Sequence, residues 1–162
     1  MDSSADYIII EDELMPLIEE RLAAGYAVRY LPFRGVSMLP MLRQGKDSVE
    51  LSPLPAKLKK YDLPVYRRPN GQLVMHRVVD VKDDQYICLG DNTESFEKIY
   101  PDQVIGVVSA FKRGEKRIEV TDPGYQRYCR LWRLTHPFRK GYKWLKRLTK
   151  KLLKGLLGRI AR

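Results

Sequence analysis

Short alternating apolar runs fill most of the chain, and a longer three-to-four-residue apolar repeat takes over its last quarter. Near the start, Leu14, Leu17, Ile18 and Leu22 recur at helical spacing with Glu19, Glu20 and Arg21 turned outward. This predicts a helix from Glu11 to about Ala24. Gly25 suits its stop, and Pro16 lies early enough to be tolerated near the first turn. Tyr7–Ile10 reads as a short edge strand. Further strands are predicted at Ala27–Leu31, Val49–Leu51, Leu63–Tyr66, Gln72–Val81, Gln85–Leu89, Gln103–Lys112 and Lys116–Val120. Turn signals separate them: Gly45-Lys46-Asp47, the Asn70-Gly71 hairpin tip, Asp83-Asp84, Gly90–Thr93 and Gly114.

Asp122-Pro123-Gly124 marks a boundary. Beyond it Tyr125, Tyr128 and Trp132, then Phe138, Tyr142, Leu145, Leu148, Leu152, Leu156 and Ile160, keep helical spacing, with Lys143, Arg147, Lys150 and Lys154 on another face. His136-Pro137 is expected to divide this stretch into two helices. The pattern predicts a mainly β protein of antiparallel sheets, with an N-terminal helix and a C-terminal basic amphipathic helical tail. Its expected divisions are an N-terminal helical segment (1–26), a β domain (27–121) and the tail (122–162).

Charge sharpens that division. The net charge of +10 over 162 residues is unevenly placed. From Tyr125 to the end there are 13 Lys and Arg and no Asp or Glu, while the first 124 residues carry 17 basic and 20 acidic side chains. A slightly acidic body thus bears a cationic tail, which calls for an anionic partner such as a membrane surface, a nucleic acid or an acidic protein. A helix with Leu on one side and Lys/Arg on the other suits an anionic membrane interface. Packing of Tyr125–Arg162 on its own domain or on a second copy is the competing reading, and nucleic acid is the least favoured. Cys88 and Cys129 match no zinc pattern, and Cys88 reads as a buried thiol. No metal or cofactor is expected. The first residues lack a signal peptide, and no uninterrupted apolar run is long enough to span a bilayer. The expected location is cytoplasmic, at most peripheral on the inner face of the membrane.

Two stretches carry candidate chemistry. In Gly35-Val36-Ser37-Met38-Leu39-Pro40-Met41-Leu42 a serine sits in a glycine-preceded turn among apolar residues. Gly35 permits close backbone approach, and Met38 and Pro40 shape the turn. In Val74-Met75-His76-Arg77-Val78-Val79 an imidazole lies on a predicted strand with apolar neighbours. Desolvation favours neutral imidazole, the form that can accept a proton from serine. Gly90-Asp91-Asn92 is a third element, and a carboxylate there could orient His76. Asp91 is the first candidate, with Glu94 and Glu97 as alternatives.

The ordered set Gly-x-Ser-Met-x-Pro, His-Arg-Val-Val and Gly-Asp-Asn resembles the signal peptidase I superfamily, in the branch whose general base is histidine. The resemblance spans roughly Tyr30 to Val108. It implies coiled antiparallel sheets, a hydrophobic groove for an extended peptide, Ser37 as nucleophile, His76 as base and the Ser37 amide as oxyanion donor. Gly35, Met38 and Pro40 would border the substrate. The sequence departs from the family pattern in three places. Gly35 stands where lysine-type relatives often carry a second hydroxyl. Ser95 and Phe96 lie near the place of the family's later acidic residue. The N-terminal anchor of signal peptidases is missing, so the expected substrate is another leader peptide or a cytoplasmic partner. The alternative is a non-catalytic peptide-binding or membrane-targeting module on the same fold. A LexA-like regulator is disfavoured, because about 30 residues before the serine turn leave no room for a DNA-binding domain.

Overall fold

The computed structural model describes residues 14–160, without side-chain detail at 30–32, 143 and 150–160. The expected strand at Tyr7–Ile10 and the first residues of the expected helix lie outside the described residues. Helix α1 (Met15–Ala23) buries Met15, Ile18 and Leu22. Its end is held by Gly25 at φ 86°, with Gly25 N–H donating to the Leu22 carbonyl and Tyr26 N–H to that of Arg21, both at 3.0 Å. That pairing is the glycine-dependent stop expected of the sequence.

Among the described residues nine strands follow: β1 (Val28–Pro32), β2 (Asp47–Ser52), β3 (Pro64–Arg67), β4 (Leu73–Met75), β5 (Arg77–Val81), β6 (Tyr86–Leu89), β7 (Glu97–Ile99), β8 (Val104–Arg113) and β9 (Lys116–Glu119). All pair antiparallel. One sheet runs β1-β2-β8-β3-β4, with β9 also on β8, and the second runs β5-β6-β7. Strand and helix shares of 31% and 30% make the fold mixed, where a mainly β protein was expected, and the sheets are not closed.

The long strand expected over Gln72–Val81 is two. β4 belongs to the first sheet and β5 to the second, and His76 is the one residue between them. Tyr66 and Val74 of the first sheet and Val78, Tyr86, Cys88 and Ile99 of the second share one apolar cluster with Leu58. The core therefore fills the space where the chain crosses between sheets. Burial in this cluster drives the Cys88 thiol pKa well above its ordinary range, consistent with a packing role.

The compact units divide after Arg127. α1 falls within the first unit, where Leu22 meets Gly106 on β8. The second unit, from Tyr128, lies on α2 (Pro123–Ile160). The break expected at His136-Pro137 does not occur, and Pro137 sits inside one continuous helix. Side chains cover carbonyls in the preceding turn: Thr135 Oγ1 donates to Leu131 O at 3.0 Å and Arg139 to Trp132 O at 2.5 Å.

Candidate active site

The Ser37 turn begins where β1 ends. Gly35 takes φ 111°, in the region that favours glycine, and its N–H donates to Gln44 Oε1 at 2.9 Å. Met38, Met41 and Leu42 plunge into the core at 2%, 2% and 0% exposure. Met38, expected to border the substrate, thus anchors the turn from beneath, while Val36 and Pro40 face outward.

The Gly90-Asp91-Asn92 turn holds this loop against His76. Asn92 N–H donates to the Ser37 carbonyl at 2.7 Å, and its side-chain amide donates to the Val36 carbonyl at 3.2 Å. A methyl group built on Gly90 would fall 2.8 Å from His76 Nε2 and 2.9 Å from the Ser37 carbonyl oxygen. The imidazole edge and the serine turn therefore face the same small space, and only glycine leaves it open. Ser37 and His76 are 3% and 1% exposed. His76 Nε2 has no hydrogen-bond partner, so the serine hydroxyl does not bond it in this conformation.

The other ring nitrogen is fully engaged. Tyr66 Oη lies 3.3 Å from His76 Nδ1 and 2.9 Å from Glu97 Oε2, and Glu97 Oε1 is 3.4 Å from Nδ1. An ionised carboxylate only accepts, so the single Tyr66 hydroxyl proton goes to Glu97 and the Tyr66 oxygen is left to accept from His76. This arrangement puts a proton on Nδ1, so that in the neutral ring the lone pair is on Nε2, toward the serine turn. Arg68 completes the cluster, donating through Nε to Glu97 Oε2 at 3.0 Å and through Nη2 to Oε1. Burial alone would raise the Glu97 pKa, but hydrogen bonds from His76 and Arg68, the positive charge of a protonated His76 and the Tyr66 hydroxyl bring it down to about 2. Burial, followed by the nearby Glu97 charge, drives the Tyr66 pKa far upward and keeps the phenol protonated.

Asp91 is placed differently from its expected role beside His76. Arg77 grips both its oxygens, Nε to Oδ1 at 2.9 Å and Nη2 to Oδ2 at 2.8 Å, with both side chains 2% exposed. Arg77 also donates to Tyr125 Oη at 2.7 Å and contacts Met41 Sδ at 2.9 Å. The pair welds the Gly-Asp-Asn turn to β5 beneath the serine loop, and the acid that reaches His76 is Glu97. Sequence reasoning left Tyr66, Arg77 and Tyr125 without roles. One signal was available: an arginine within an apolar strand needs a buried anion, and Asp91 stood in a turn nearby.

An open cleft of about 1380 Å³ lies away from this cluster and is lined by residues including Glu19, Leu54, Arg67, Arg68, Tyr100 and Asp102. Its wall touches the site only through Arg68, the partner of Glu97. Among the described residues no group of His, Cys, Asp and Glu is placed to hold a metal ion.

The chain matches no family model, no curated protein and no solved structure. What the site does therefore rests on its own geometry.

Proposed function

We propose that the protein is a serine endopeptidase acting on an extended, leader-like peptide, with Ser37 as nucleophile, His76 as general base and Glu97 as the acid behind it. The observation that carries this reading is the buried, unpartnered Nε2 of His76, aimed at the Gly90 gap beside Ser37 while Tyr66 and Glu97 hold the far side of the ring. A base for serine needs that tautomer and that orientation.

In the proposed reaction the Ser37 hydroxyl attacks the scissile carbonyl as its proton passes to His76 Nε2. The imidazolium is stabilised by Glu97. The tetrahedral oxyanion is met by the Ser37 amide. The imidazolium then protonates the leaving amine, and a water activated by the same nitrogen releases the acyl group. In the described sheets β1 and β4 are edge strands, and they end beside the Ser37 turn and His76 respectively. An extended peptide adding to one of these edges would bring its backbone to the group beside it, and the Gly90 gap joins that group to the other. This arrangement is also what the resemblance to histidine-type signal peptidases implies.

A second reading has its own support. Ser37 and His76 are both covered and do not hydrogen-bond each other, as suits a peptide-binding module that does not turn over. Incubation of purified protein with a library of extended peptides, followed by mass spectrometry, separates the two. Cleavage that disappears in Ser37→Ala supports the peptidase. Binding without cleavage, or equal cleavage by both forms, overturns it in favour of the module.

A further inference from the structure

The helix beyond the first unit presents an apolar stripe to solvent. Leu131, Leu134, Phe138, Tyr142 and Leu145 are 63%, 69%, 78%, 67% and 52% exposed. They succeed one another at intervals of three or four residues, so they form one line along α2. Leu152, Leu156 and Ile160 keep the same spacing in sequence. A row of large apolar side chains in water is unfavourable and marks a surface meant to be covered.

Charge decides what covers it. The 13 cations from Tyr125 onward have no acidic residue among them. Pairing the stripe with a second copy would line up two such helices with no opposite charge to offset them. A nucleic acid would take the cations and leave the stripe in water. An anionic lipid surface takes both, with apolar side chains entering the acyl boundary and Lys and Arg remaining among the headgroups. Trp144, 59% exposed and off the line of the stripe, is placed to lie at headgroup depth. Among the described residues no helix is long and apolar enough to cross a membrane, which fits a helix lying in the surface plane.

We infer that α2 from about Leu131 onward is an in-plane docking helix for an anionic membrane surface, independently of what the Ser37 site does. The test is co-sedimentation of the full chain with vesicles of phosphatidylcholine alone or mixed with phosphatidylglycerol. Binding to the anionic vesicles is expected to exceed that to neutral ones by roughly tenfold or more, and to weaken as salt rises. The variant Leu134→Gln/Phe138→Gln/Leu145→Gln changes only exposed positions. It should lose roughly tenfold or more of that binding with its circular dichroism unchanged. Lys140→Gln/Lys146→Gln, which leaves the stripe intact, should weaken binding to anionic vesicles alone. Trp144 emission should shift to the blue on binding. The inference is overturned if the triple variant binds like the wild type, or if the wild type binds neither vesicle. It is also overturned if the wild type forms an oligomer that the triple variant disperses without either binding lipid, since a second copy would then cover the stripe.

Discussion

Glu97 Oε1 stands 3.4 Å from His76 Nδ1, on the side of the ring opposite the Ser37 turn. Glu97→Gln keeps the shape and removes the charge that would stabilise imidazolium. On the peptidase reading, kcat/KM for peptide cleavage should fall by roughly 10²–10⁴-fold. Tyr66→Phe, which leaves the carboxylate in place, should cost less. Equal rates for Glu97→Gln and wild type would remove Glu97 from the mechanism.

Asp91 should matter first to stability. Arg77 and Asp91 are buried against each other, and removing one partner strands a charge in the interior. Asp91→Ala should lower the unfolding free energy by about 3–5 kcal/mol, read from urea denaturation. Tyr125→Phe removes one neutral acceptor from Arg77 and should lower it by about 1–3 kcal/mol. A stable Asp91→Ala protein that had lost only activity would contradict this assignment.

Gly90→Ala tests the gap between base and nucleophile. The new methyl would lie 2.8 Å from His76 Nε2, 2.8 Å from Thr93 Cγ2 and 2.9 Å from the Ser37 carbonyl. The carbonyl is held by Asn92 and has little freedom to yield. Overpacking should cost about 1–3 kcal/mol of stability, and on the peptidase reading the catalytic rate should fall with it. Unchanged melting and activity would mean that the loop adjusts freely.

Acid should weaken the fold through Glu97. Its pKa is about 2 in the folded chain against an ordinary 4.5, so between those values the unfolded state binds more protons. The stabilisation is fully present above about pH 4.5 and is lost as pH falls toward 2. Thermal melts across this window should show a loss for wild type that is smaller in Glu97→Gln, which cannot titrate. Parallel curves for the two proteins would show that Glu97 does not couple to folding.

Local pattern determined a good deal. The α1 stop at Gly25, the β3–β4 hairpin around Asn70-Gly71, β2, β6, β8 and β9 all follow from alternation and turn residues, which act within a few positions of the chain. The same locality made Ser37 and His76 visible, through a glycine-preceded turn and an imidazole among apolar neighbours. The cationic helix after Pro123 was also legible, because its period and composition need no partner to be read.

Tertiary structure decided the rest. β7 was missed because Glu97-Lys98-Ile99 is too short and polar to announce a strand, and it forms only because β6 offers it an edge. His76 looked like the middle of one strand, yet the chain changes sheets there, since Val74 and Val78 enter the shared core from different sheets. The choice between Asp91 and Glu97 could not be made by sequence proximity to Gly90. Arg77 is buried and requires the nearer anion, so Asp91 turns to it and Glu97 reaches His76 from the next strand. Pro137 reads as a breaker, yet the helix runs on through it. Hydrophobic period and turn chemistry are written into neighbouring residues. The pairing of buried charges and the filling of a sheet edge depend on residues that only the fold brings together.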